Sequence, residues 1–250
     1  MLELKNKIQS FQPISLSEMD DVALMTRIDE KFISSNHHIA DILNKINQQY
    51  SILEIDGKRS FSYQTEYLDT PNNILFNNHQ NGKLNRYKIR FRDYIETKKS
   101  FLEVKFKSNK GITKKTRISV PFKEKYINSI AKKFIESQSP YLVKNLKIKV
   151  INNFERVTLV NILSKERVTI DFNLKFKSDI SDTKSKISNL IIIEIKREKG
   201  NIKSPLFSIL KQKKIRPTSF SKYAIGSCLL DKEIKYNRFK KKLLLLNKIT

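Results

Sequence analysis

Apolar and polar residues alternate most strictly over residues 86–107, RYKIRFRDYIETKKSFLEVKFK. Arg86, Lys88, Arg90 and Arg92 take one parity and Tyr87, Ile89 and Phe91 the other, which is the two-residue period of a strand with one charged and one apolar face. After the turn-like residues 93–100 the alternation resumes, with Leu102, Val104 and Phe106 opposed to Glu103, Lys105 and Lys107. The pattern predicts a hairpin whose polar face is basic. Like charges directly opposite one another across two strands repel, so such a row is either a solvated outer face or a set of cations converging on a polyanion.

Similar alternation predicts further strands. Residues 27–32 set Arg27, Asp29 and Lys31 against Ile28, Glu30 and Phe32, and 61–69 is strand-like before the turn residues TPNN. Residues 114–120 carry Lys115 and Arg117 on one face. Strands are also expected over 146–151, 154–160 (with Arg156), 167–173 (with Arg167 and Asp171) and 190–198, where Glu194 and Lys196 interrupt an isoleucine-rich run. Helical spacing appears over 38–50 and 121–137, the second with Tyr126, Ile127, Ile130, Ala131, Phe134 and Ile135 in its stripe and Pro121 at its start. Shorter helices are expected over 18–25, behind a Ser17/Asp20 capping pattern, and over 205–213 and 219–230. Residues 74–80 fit a helix or a loop, and 178–188 read as a polar loop.

This makes about eight strands, nearly all with one charged face, and several amphipathic helices. The helices must bury their stripes, and the apolar face of the sheet is the large surface on offer. With helices outside, the charged faces turn inward, as in a closed antiparallel barrel with a polar lumen. A sandwich with a charged exterior is the alternative.

Composition sharpens this picture. Among 250 residues, 50 Lys and Arg oppose 25 Asp and Glu, a net charge of +25 that implies anionic partners. A single domain over 1–250 is expected, with a helical N-terminal segment at 1–26 and a basic tail at 231–250. Five scattered glycines leave no phosphate-cradling loop, one cysteine allows no zinc spacing, and the three histidines form no ligand pattern. Any phosphate must therefore be held by side chains. No apolar run approaches a membrane span, and the first ten residues lack a secretory h-region, so a soluble cytoplasmic protein is expected. Aromatic residues could stack bases, but Tyr87 and Phe91 oppose the cation row, which argues against nucleic acid.

The stretches LMTRIDEKF, SYQTEYLDTP, HQNGKLNRYKIRFRDY, FLEVKFKSNKG, IIEIKRE and SFSKYAIG, in this order over nearly the whole chain, closely resemble the VTC-type polyphosphate polymerase domain of the triphosphate tunnel metalloenzyme (CYTH-like) superfamily. The resemblance implies an α+β fold, an eight-stranded antiparallel tunnel with amphipathic helices packed outside. It implies phosphate-binding cations at Lys31, Arg90, Arg92, Lys105, Arg156, Arg167 and Lys196, a lysine at the tunnel mouth at Lys222, and a metal-binding glutamate at Glu194. Arg86, Lys88, Lys107 and Arg117 are further candidates, and Glu103 and Asp171 are expected to orient cations. The implied chemistry is transfer of the ATP γ-phosphoryl group to polyphosphate with a divalent metal, Mn²⁺ or Mg²⁺, and a membrane-protein partner that places the domain at a membrane face. Triphosphate hydrolysis and simple polyanion binding are the alternatives. Tunnel hydrolases resemble one another in an E-x-E-x-K motif. Here Arg27 replaces its first glutamate, a departure that favours phosphate binding over hydrolysis.

Overall fold

The computed structural model describes residues 2–20, 27–124, 128–199 and 204–249. In chain order the elements are α1 (Leu2–Lys7), β1 (Gln12–Ile14), α2 (Leu16–Asp20), β2 (Arg27–Ser35), α3 (Ile39–Ile46), β3 (Ser51–Leu53), β4 (Phe61–Asp69) and α4 (Ile74–Gln80). The basic hairpin follows as β5 (Arg86–Tyr94) and β6 (Lys99–Lys107), then β7 (Thr113–Val120), α5 (Ser129–Gln138), β8 (Lys147–Asn161) and β9 (Glu166–Ser178). The chain ends with β10 (Lys184–Ile187), β11 (Leu190–Glu198), α6 (Pro205–Gln212), α7 (Lys222–Leu230) and α8 (Asn237–Ile249).

All eleven strands join one sheet, and eight of them form a continuous path in the order β2-β11-β9-β8-β4-β5-β6-β7. Every pairing along that path is antiparallel. The expected strand number and polarity therefore hold, but the barrel does not close: β2 and β7 end the path without bonding to each other. A bridge between Phe32 and Pro217 and a bond from the Thr218 N–H to the Lys31 carbonyl cover the free side of β2.

The sheet is nonetheless strongly curled. Five inter-strand steps separate β11 from β6 in the path, about 24 Å in a flat sheet, yet Glu194 on β11 and Lys105 on β6 feel each other's charge. Lys88 on β5 likewise feels Lys31 on β2. The charged parity of the strands thus lies on the concave side.

The convex side carries two apolar cores. Ile193, Ile195, Val157 and Ile170 pack with Ile42, Leu43 and Ile46 of α3, Leu4 of α1 and Leu206 and Leu210 of α6. Toward the other end, Ile89, Phe91, Leu102 and Val104 pack with Ala131 and Ile135 of α5. These helices lie outside, as expected. Helix α7 does not: Tyr223, Ala224 and Ile225 pack against Ile33, Tyr67, Phe154 and Ile192, residues that share the parity of the charged row. An apolar helix therefore fills one part of the concave face. Its approach is close enough that a Cβ at Gly226 would stand 2.6 Å from the Phe176 ring.

Other boundaries moved for local reasons. The helix expected from Pro121 begins at Ser129, capped by Asn128 Oδ1 accepting from the Ala131 N–H at 2.9 Å; Lys123, at φ +60, lies in the preceding turn, and Tyr126 and Ile127 lie outside the described residues. The capping pair of α2 is Ser15 with Glu18 rather than Ser17 with Asp20: the Ser15 N–H donates to Glu18 Oε2 at 2.9 Å, and the Glu18 N–H to Ser15 Oγ at 3.3 Å. Helix α2 is assigned to Asp20, and residues 21–26 of the expected 18–25 helix lie outside the described residues. The strands expected at 146–151 and 154–160 are one strand whose register slips between Asn153 and Glu155. The polar 178–188 segment contains β10, and the basic tail forms α8, held by Phe239 and Leu246.

Candidate functional site

Three carboxylates organise the concave face. Glu194 and Lys31 are direct partners across β11 and β2, and Glu194 accepts from the ammonium groups of Lys31 and, at 2.6 Å, Lys196. Burial alone would push the Glu194 carboxyl up; the two lysines outweigh it and hold it well below the usual carboxylate range. Asp171, on β9, sits opposite Arg156 of β8 and takes its guanidinium at both oxygens, at 2.5 and 2.8 Å. The second residue to reach Asp171 is Lys222, from the first turn of α7. Glu103 faces Arg90 across the hairpin, accepting from Arg90 at 2.6 Å and from Lys115 at 3.0 Å. Arg90 and Lys115, with Arg92, hold the Glu103 carboxyl low against its burial.

Three other cations on this face have no carboxylate within ion-pair distance among the described residues. Arg92 is buried and donates to Thr65 Oγ1 at 3.3 Å. Lys88 donates to Ser221 Oγ at 3.1 Å, and its pKa falls to about 7 through burial and the neighbouring Arg86, Arg90 and Lys31. Lys105, the register partner of Lys88, falls to about 6, chiefly through Arg90, then burial, then Arg92. Both lysines thus have their charge opposed by their own surroundings.

Aromatic rings brace the guanidinium groups. Arg90 lies over Tyr67 at 5.9 Å, Arg156 over Tyr63 at 5.3 Å, and Lys222 over Phe154 at 4.2 Å. Tyr63 and Phe154 stack at 5.2 Å. Asp69, at the end of β4, ties α7 to the sheet: it accepts from the N–H groups of Leu75 and Phe76 at 2.8 Å and from the Tyr223 hydroxyl. Lys222 is thereby held in place, with its pKa lowered by burial to about 8 despite Asp171.

The family model for the VTC domain matches residues 26–231. The chain belongs to the VTC domain family. Among solved structures, the VTC domain is similar to a Bacillus halodurans protein named as a candidate adenylate cyclase, with a TM-score of 0.52 and 13% identity over 78% of this chain and 94% of that one. A Hippeastrum protein, named as a candidate adenylyl cyclase with a dominant triphosphatase activity, gives 0.49 and 15% over 81% and 94%. No curated protein matches. The likeness to the Bacillus halodurans protein is one of fold, here a curled antiparallel sheet that does not close.

The VTC domain thus brings together Lys31, Lys88, Arg90, Arg92, Lys105, Arg156, Lys196, Lys222 and Glu194. The remaining expected cations lie outside this group, although Arg86 and Lys107 still act on Lys88. Arg86 and Lys107 are register partners at the far end of the hairpin, Arg86 donating to the Lys83 carbonyl at 3.0 Å. Arg117 is exposed and lies over Phe101 at 4.4 Å. Arg167 shares the parity of Lys196 but donates to the Met19 carbonyl at 2.9 Å. Sequence reasoning put Lys115 on a charged face without assigning it to the site, and gave no role to Tyr63, Tyr67 and Phe154, which carry the parity of the cations they lie beside.

A divalent ion finds a limited donor set here. Among the described residues no three His, Cys, Asp or Glu side chains gather to hold a metal. Glu194 offers one carboxylate, and Asp29 shares its face as the register partner of Lys196. One or two carboxylates suit an ion that arrives with phosphate oxygens of its own, as Mg²⁺ does, and not an all-protein cage. Among the described residues no helix is long and apolar enough to cross a membrane.

Proposed function

We propose that this VTC domain transfers the γ-phosphoryl group of ATP to the end of a polyphosphate chain. The observation that carries the reading is the group Lys88, Lys105 and Arg92, which among the described residues have no carboxylate within ion-pair distance, beside a framework of cations that are paired. A condensed phosphate supplies the charge they lack. Its oxygens can be met from several walls at once, by guanidinium forks and by lysine point charges.

The attacking atom is a terminal phosphate oxygen of the acceptor chain. With a second phosphate pKa near about 6 it is ionised at neutral pH, so no general base is required. The new P–O bond forms at the γ-phosphorus, the bond to the β,γ-bridging oxygen breaks, and its electron pair leaves with ADP. The protein supplies alignment and neutralisation of charge on the transferring group. Arg90 and Arg156, fixed by Glu103 and Asp171, are the rigid parts. Lys105 and Lys88 gain full protonation when the phosphates dock. A divalent ion held at Glu194 would neutralise phosphate oxygens on the donor when bound.

The test is to incubate purified protein with ATP and manganese, measure ADP, and stain a gel of the products for polyphosphate, with Glu194→Gln and Arg90→Ala alongside. A ladder of long chains matching the ADP released, lost in both variants, is the expected result. Free phosphate without a ladder would make the domain a triphosphatase. Absence of turnover with retained polyphosphate affinity would make it a polyanion-binding module.

A further inference from the structure

A second basic cluster lies past the Lys88 end of the row, where α4, β5 and α8 meet. Gln80, with its amide turned so that the oxygen accepts, receives the N–H groups of Asn237 and Arg238 at 3.1 and 3.2 Å and pins the first turn of α8 to α4. The Arg238 guanidinium then lies against Gly82, where a Cβ would stand 2.0 Å from Nη1. Lys242, one helical turn on, donates to Ser219 Oγ at 2.9 Å, two residues before the Ser221 hydroxyl that receives Lys88. His79 packs edge-on to Phe239 at 5.2 Å. Burial, then Lys88, Arg86, Arg238 and Lys242, lower its pKa to about 2, so a neutral imidazole sits among four cations.

Among the described residues no carboxylate lies within ion-pair distance of Arg86, Lys88, Arg238 or Lys242, whereas Arg90, Arg156 and Lys196 each have one. Arg86 and Arg238 also repel each other. Arg238 and Lys242 fall outside the residues that the VTC family model matches, so α8 adds cations to a face that the matched region already makes basic.

We propose that Arg86, Arg238 and Lys242 form a second phosphate-binding station which, through Lys88, continues the concave face outward and lets the domain hold a linear polyphosphate longer than a triphosphate. The proposal deepens the function above and rests on it only in taking a condensed phosphate as the ligand of the concave face. An extended chain carries anionic phosphates along its length, so each further unit can meet a further cation. A partly exposed charge contact contributes little on its own, so the station discriminates by length through added contacts and not through one strong one.

Calorimetric titration with tripolyphosphate and with long-chain polyphosphate, at one fixed ionic strength because exposed charges are screened, tests this without any turnover. In the Arg238→Gln, Lys242→Gln double variant, long-chain affinity should fall about tenfold, about 1.4 kcal/mol, while tripolyphosphate affinity changes by less than about twofold. Arg238→Lys, which keeps the charge, should retain most long-chain affinity. Equal losses for both ligands, or no loss for the long chain, would overturn the station. Arg90→Ala separates the two readings: if it leaves tripolyphosphate binding unchanged, the proposed function fails, whatever Arg238 and Lys242 do for the long chain.

Discussion

The two halves of the concave face treat their cations differently. On the β8, β9 and β11 side, Arg156, Lys222, Lys31 and Lys196 are each tied to Asp171 or Glu194. On the β5 and β6 side, Arg90 has Glu103, but Lys88, its register partner Lys105, and Arg92 have no carboxylate within ion-pair distance among the described residues. Two unit charges 4 Å apart interact by about 1 kcal/mol in bulk water and about 4 at an effective dielectric of 20. The paired side is therefore firm before any ligand arrives, and the bare side is strained until one does. The proposed function would use both: fixed groups to set the position of phosphates, and cations without a near carboxylate to gain from their arrival.

The comparison is broken most forcefully at Asp171. Asp171→Ala removes a buried carboxylate and strands two half-buried cations, and loss of one partner from a buried pair costs about 3–5 kcal/mol; denaturant unfolding should show a loss approaching that size. A loss under about 1 kcal/mol would mean that the paired side is no firmer than the bare one.

Stability should also climb with pH. Lys88, Lys105 and Lys222 have folded pKa values of about 7, 6 and 8, below the roughly 10.4 of an unfolded lysine. Between pH 6 and 10 the unfolded chain therefore binds more protons, and unfolding free energy rises with pH. The carboxylates Glu194, Glu103 and Asp171 titrate below their usual range and lose their stabilising contribution only in stronger acid. The apo melting temperature should rise from pH 6 to pH 9, and saturating tripolyphosphate should flatten the rise. A pH-independent apo melting temperature would remove the bare side from the argument.

Lys105→Met acts on one bare cation. The apo protein should become more stable by about 1–2 kcal/mol, as relief of like-charge contact at an effective dielectric near 20 suggests, and the melting shift caused by tripolyphosphate should shrink. The smallest effect is expected at Lys115→Ala, whose partly exposed side chain pairs with Glu103. Its cost should stay below about 1 kcal/mol, because Arg90 still satisfies Glu103.

Alternation made the basic hairpin and Glu194 legible, because a strand's two-residue period assigns each side chain to a face. The same parity placed Glu103 and Asp171 with the cations they hold. The position of α7 was not legible. Its residues Tyr223 to Cys228 are buried all round, and a helix without a polar face signals burial without saying on which side of a sheet. That is also why the residue pattern alone gave Lys222 no role and only the family resemblance placed it at the site, where Asp69 and Tyr223 fix its helix against Asp171. The closed barrel failed for a related reason: parity gives curvature a direction, but closure depends on whether the terminal strands meet, and β2 is instead met by Pro217 and Thr218.

That open seam bears on solubility. A sheet that does not close has two rims, and an exposed rim is a template for another extended chain. Residues 217 and 218 occupy the rim at β2, where a proline offers no N–H for further pairing. The rim at β7 is guarded by charge, with Lys114, Lys115 and Arg117 all exposed. Two copies approaching edge to edge at β7 would bring these like charges together, which opposes that pairing. If the proposed function holds, a polyphosphate laid across that rim would cancel the repulsion between its lysines and arginine.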